Sequence, residues 1–125
     1  MKDWVPEYRG QPRPDNRTFA LIQKAIDNGW SPFRKGSGIK ILDYRFYFFL
    51  NASYMEVDVP GFVTGERHTH SINTSEIIFG KNFAKALVGK DRYRKLLTGA
   101  VLSRSPVDYM YREVIDRKAR IGKRI

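Results

Sequence analysis

Two spacings of apolar side chains divide this chain. Phe19, Ile22, Ala25 and Ile26 recur at helical intervals, with Leu21 beside them. Asp15 stands where an N-cap belongs, and Asn28-Gly29 stands where such a helix stops, which predicts a first helix between them. From Ile39 the period falls to two. Tyr44, Phe46, Phe48 and Leu50 alternate with Arg45, Tyr47 and Phe49, and Met55, Val57 and Val59 alternate with Glu56 and Asp58. β-Branched and aromatic residues dominate, and neither Gly nor Pro interrupts 39–59. Two strands are predicted, joined at Asn51-Ala52-Ser53, the second with one wet face. A helix over 43–50 is the alternative, because a short apolar run fits either period. Pro60-Gly61 is a turn, and 62–72 lead on through a short third strand.

The helical period returns in Asn73–Gly89, NTSEIIFGKNFAKALVG. Asn73 is placed as N-cap with Glu76 at the capping-box spacing, and Gly89 as the residue past the C-terminus. Ile77, Gly80, Phe83, Ala84, Leu87 and Val88 share one face, Phe79 and Ala86 widen it, and only Lys81, Asn82 and Lys85 make a polar strip. A helix this apolar is buried. Gly80 in its interior costs about 1 kcal/mol against Ala, which predicts another backbone close by. Asp91 caps a second helix with the stripe Tyr93, Leu96, Leu97, Ala100 and Val101. Ser105-Pro106 opens a third, carrying Val107, Met110, Tyr111, Val114 and Ile115. The three run over about 75–88, 91–104 and 106–118.

Together these elements predict an α+β fold in a single domain, 1–125: an N-terminal helix, a small antiparallel sheet over about residues 39–72, and a C-terminal group of three short helices. Residues 1–14 form an extended arm pinned by Trp4 and Tyr8, and residues 119–125 a flexible basic tail. Trp30 and Phe33 fold back to anchor the loop that contains them, and 34–38 make a polar turn.

With 125 residues, 42% hydrophobic and 29% charged, the chain can bury a core of its own. It has no cysteine, which excludes disulfides and thiolate metal sites. No apolar run approaches the ~20 residues of a membrane span, and the N-terminus lacks the apolar core of a secretory signal. The expectation is therefore no membrane and a cytoplasmic location. Net charge is +10, and it is segregated: residues 81–125 hold 13 Lys or Arg against 4 Asp or Glu, whereas 1–80 hold 10 against 9. A segregated basic surface is a footprint for an anionic partner.

The basic candidates are Lys81, Lys85, Lys90, Arg92, Arg94, Lys95, Arg112, Arg117, Lys118 and Arg120, with Arg104, Lys123 and Arg124 beside them. Such side chains neutralise phosphates of DNA or RNA, and the interspersed Tyr93, Tyr109 and Tyr111 offer stacking surfaces for bases. The three short helices, with Gly89 in the first link, are compatible with a helix-turn-helix. A basic face also suits an acidic protein, and the aromatic strand face at Tyr47 and Phe49 suits a partner or a second copy. Metal chemistry is a weaker pattern. His68 and His70 point the same way on a strand, with Glu66, Glu56, Asp58 or the more remote Asp43 as a third ligand. Asp43, Glu56 and Asp58 are also the possible ligands for a metal-dependent nuclease. No Ser/His/Asp arrangement and no phosphate-binding glycine loop is present, and no cofactor is implied.

The segment IIFGKNFAKALVG, 77–89, resembles a motif of small tailed-phage and prophage proteins of unassigned activity, in which Ile-Ile-Phe/Tyr precedes Phe-Ala-Lys-Ala and a glycine. LLTGAVLSRSPVDYMY, 96–111, is similar to their C-terminal pattern, and Gly29-Trp30-Ser31-Pro32 to a short upstream element. The acidic, Trp-rich stretch that separates the two motifs in those proteins is missing here. The resemblance covers about half the chain. It implies a phage-encoded protein of the host cytoplasm and adds little about function; the charge pattern points to a basic nucleic-acid binder, with a small modulator of a host or phage protein as the alternative.

Overall fold

The computed structural model describes residues 7–8, 16–63, 65–77 and 79–116. They form an α+β fold in two compact units. One unit holds the sheet; the other gathers 17–30 with 79–116, so the first helix belongs with the C-terminal helices although the sheet lies between them in sequence.

The sheet order is β1-β2-β3-β4. β2 (Asp43–Phe49), β3 (Ala52–Pro60) and β4 (Arg67–Asn73) make an antiparallel meander. β1 (Glu7–Tyr8) adds in parallel to β2, with Glu7 opposite Tyr47 and Tyr8 opposite Phe48. The expected arm is thus a paired edge at Glu7-Tyr8; Trp4 and the rest of 1–14 lie outside the described residues. Strand burial alternates strictly in β2, which rules out the helix over 43–50. Tyr44, Phe46 and Phe48 on β2 and Met55, Val57 and Val59 on β3 are buried on one sheet face.

The β2–β3 turn sits one residue earlier than expected. Leu50 and Asn51 both take positive φ, 52° and 61°, and Ala52 and Ser53 already belong to β3. A two-residue connection needs this mirror-image turn so that its twist matches that of the strands, and Leu50 accepts a costly conformation to supply it. Pro60 pairs with Arg67 as the last residue of β3. The turn itself follows, closed by Gly61 N–H to Glu66 O at 3.1 Å.

In the helical unit, α1 (Asn16–Asp27) buries Phe19, Leu21, Ile22 and Ala25. Its expected cap, Asp15, lies outside the described residues. Its end matches the sequence signal: Gly29 has φ 103°, its N–H reaches Ile26 O, and Trp30 N–H reaches Ala25 O, each at 2.9 Å, closing a Schellman motif. Trp30 then meets Phe83 edge-on at 5.0 Å. In the sheet unit, Phe33 lies edge-on to His70 at 6.0 Å.

The stretch 73–89 is not one helix. Asn73 ends β4 and caps only a single 3₁₀ turn, Thr74–Glu76, its Oδ1 accepting from Ser75 N at 3.0 Å. Ile77 is extended, and Gly80 is the N-cap of a shorter α2 (Lys81–Val88). Gly80 has nothing within 4 Å of where a Cβ would stand, so no backbone crosses there. It stands before the helix with an extended backbone, φ −114° and ψ −158°. Of the predicted face, Phe83, Ala84 and Leu87 are buried in α2. Gly89 ends α2 as expected, at φ 90° and ψ 173°, a conformation open to glycine alone.

α3 (Tyr93–Leu102) and α4 (Pro106–Tyr111) complete the helical group, and α4 runs on as a wider π turn, Arg112–Asp116. Asp91 is not a cap; it lies in the turn, and Arg92 precedes the helix. Ser105 and Pro106 open α4 as expected, but the Ser105 hydroxyl donates to Asp108 at 3.0 Å rather than capping a backbone amide. Val101, assigned to the buried stripe by its spacing, is 79% exposed. Asn28 Nδ2 donates to Ala86 O at 2.8 Å, tying the end of α1 to α2, and Arg17 pairs with Asp108 at 3.5 Å, tying its start to α4.

Candidate functional site, a basic surface around Tyr93

The charge asymmetry follows the units. Residues 31–77 hold five Lys or Arg and five Asp or Glu, whereas 17–30 with 79–116 hold ten and five. The centre of the excess is Tyr93, the first residue of α3. Its ring is buried, with Lys85 Nζ from α2 5.0 Å and Arg94 Cζ 5.6 Å from the ring centroid. Arg94 Nε donates to the Tyr93 hydroxyl at 3.0 Å. This bond, with the fields of Arg94, Lys81 and Lys85, draws the Tyr93 phenol below its ordinary pKa against the opposing effect of burial. Lys85 of α2 and Arg94 of α3 therefore meet on one ring, and the field of Lys81 adds to theirs. None of them forms an ion pair among the described residues, where Asp and Glu pair with Arg17, Arg45, Arg67 and His68 instead.

The remaining candidates are spread around this centre. Lys90 and Arg92 stand exposed in the turn between α2 and α3, and Lys95 is exposed on α3. Arg104 and Arg112 are exposed at either end of α4. Arg117, Lys118 and Arg120 lie outside the described residues, as does the tail. Of the tyrosines expected to stack, Tyr93 is buried, and Tyr109 and Tyr111 are half-buried. Tyr93 lies beneath its cations, Tyr109 fills the space over Gly99, and Tyr111 carries the Arg17 guanidinium at 5.7 Å. Thr98 and Leu102, which the apolar pattern passed over, share the outward face of α3 with Arg94, Lys95 and Val101. Their spacing from Arg94, four and eight residues, was the available signal.

The histidines and carboxylates separate onto opposite faces of the sheet. His68 and His70 pair with Val59 and Val57, whereas Glu56 and Asp58 share the other face with Arg45 and Thr69. His68 Nε2 lies 2.8 Å from Glu66 Oε1. Glu56 and Asp58 are both taken up by Arg45, at 2.9 Å and 3.1 Å. Asp58 also accepts from Thr69 at 2.6 Å and pairs with Arg67 at 3.5 Å. Among the described residues no three His, Cys, Asp or Glu side chains come together as a metal site. The third ligand expected from Glu56, Asp58 or Asp43 fails because alternation puts those residues on the face away from the histidines.

No helix among the described residues is long and apolar enough to cross a membrane. No family model matches the chain, and neither a curated protein nor a solved structure is significantly similar to it.

Proposed function

We propose that this chain is a non-enzymatic nucleic-acid-binding protein that grips phosphates with the basic side chains of α2, the 89–92 turn and α3. The observation that carries this reading is that Lys85 and Arg94 meet over the Tyr93 ring, with no ion pair to either among the described residues. Like charges held together are unfavourable by themselves, and a polyanion relieves them. Each phosphate neutralised releases counterions, so the binding is steep in salt. The excess of charge in 81–125 supports the same reading. Its working compartment is the cytoplasm, that of the host cell if the phage resemblance holds.

Fluorescence anisotropy with labelled single- and double-stranded DNA and RNA, at low and near-physiological salt, tests this. The expected result is binding to at least one polymer that weakens by orders of magnitude as salt rises. Neutralising Arg92, Arg94 and Lys95 together should abolish it. Absence of binding at low salt, or normal binding by the triple variant, refutes the proposal. In the first case the surface becomes a docking face for an acidic protein.

A further inference from the structure

α2 and α3 are joined by the four-residue turn 89–92, with Gly89 at φ 90°. A helix-turn-helix likewise joins two helices by a three- or four-residue turn that often holds glycine, and it places the second helix in the DNA major groove. What α3 offers outward is one stripe. Thr98 is its centre, Arg94 and Leu102 stand four residues to either side, and Lys95 and Val101 stand three to either side. All five are exposed, while Tyr93, Leu96 and Ala100 are buried behind them.

The stripe is mixed in chemistry. Its first turn is cationic, and its last carries Val101 and Leu102 at 79% and 81% exposure. Phosphates reward charge and hydrogen-bond donors, so backbone binding leaves two solvated aliphatic side chains without a use. A major groove uses both ends: guanine presents acceptors to Arg or Lys, and thymine presents a methyl group to Thr or an aliphatic side chain. Arg94 is prepared for such a contact. Tyr93 holds its Nε, and its two Nη groups make no hydrogen bond among the described residues.

We propose that α3 is a recognition helix for double-stranded DNA, reading base edges through Arg94, Lys95, Thr98, Val101 and Leu102 while Lys81 and Lys85 hold flanking phosphates. This rests on the nucleic-acid reading above and adds to it a polymer, a groove and a sequence preference.

The test begins with selection of the full chain on a pool of random duplexes at near-physiological salt. Anisotropy on the selected duplex, a scrambled duplex and a single strand follows. The expected result is an enriched motif and a preference for it over scrambled DNA. Thr98→Ala/Val101→Ala/Leu102→Ala should lose about tenfold or more of that preference with the salt dependence unchanged. These positions are exposed and alanine favours the helix, so circular dichroism should match the parent. Lys81→Gln/Lys85→Gln should instead weaken both duplexes alike and flatten the salt dependence by about one unit per lost phosphate contact. Salt-steep binding with no enriched motif, or a motif whose preference the triple alanine variant leaves intact, overturns the recognition helix and leaves the nucleic-acid reading standing. Absence of binding to every polymer overturns both.

Discussion

Replacing Asp58 with asparagine removes one charge from the sheet and keeps the shape of the side chain. The carboxylate is 9% exposed and covered by the groups that bond to it. Arg45 reaches it with Nη1 at 3.1 Å and Nη2 at 3.3 Å, Thr69 Oγ1 donates at 2.6 Å, and Arg67 stands at 3.5 Å. In the variant the amide oxygen still accepts from Thr69, but the amide nitrogen then faces the Arg45 donors. A hydrogen bond to a charged group contributes about 1.5–3 kcal/mol. Arg45 is 35% exposed, so solvent screening places its pair with Asp58 at the lower end. The unsatisfied donors left behind add about 1 kcal/mol, for a total loss of about 2–3 kcal/mol. Urea unfolding at neutral pH reads this as a fall in midpoint of about 1 M. The pH dependence provides an independent check. The Arg45 bond first, then Thr69, holds the Asp58 carboxyl below the usual carboxylate range, against burial. Because the folded pKa is the lower one, the stabilisation is complete above the unfolded value of about 4 and disappears as pH falls through the folded one. The parent and the variant should therefore differ fully at neutral pH and converge in acid. A difference under about 0.5 kcal/mol at neutral pH would refute the assigned network, by the scale set for an exposed pair. So would a difference that persists unchanged into strong acid.

Two further outcomes are expected within the helical unit. Tyr93→Phe keeps the ring under Lys85 but deletes the acceptor for Arg94. Nucleic-acid affinity should fall several-fold with the fold intact, and ultraviolet titration should lose one tyrosine that ionises ahead of the ordinary range; a titration identical to the parent's would remove Tyr93 from the centre of the cation cluster. Gly99→Ala should destabilise despite a helix-propensity gain of about 1 kcal/mol, because the added methyl group runs into the Tyr109 ring and hydroxyl. Gly99→Ala/Tyr109→Ala should be more stable than Tyr109→Ala alone, and a single Gly99→Ala variant that melts higher than the parent would contradict that close approach.

Local pattern carried much of the fold because it depends on alternation that neighbouring residues enforce. Tyr44, Phe46 and Phe48 against Arg45 and Tyr47 pointed to a half-buried strand, with the short helix excluded only by the observed burial, and Asn28-Gly29 marked the end of α1. The segregation of Lys and Arg into 81–125 was equally legible, since charge is a property of the residues alone. Three matters were decided only in three dimensions. Asn73 and Glu76 match a capping box, yet Asn73 is already the last residue of β4, so its cap serves one turn and the helix waits for Gly80. Periodicity could not tell whether Val101, at the rim of the α3 stripe, would be covered, and it is 79% exposed. The sequence named thirteen cations of similar merit, and folding brought two of them, Lys85 and Arg94, onto the Tyr93 ring by placing α2 beside the first turn of α3. Composition and period are one-dimensional, so they specify what each segment can become. Which helix a side chain meets across space depends on packing between segments far apart in the chain, and that is where the candidate site was made.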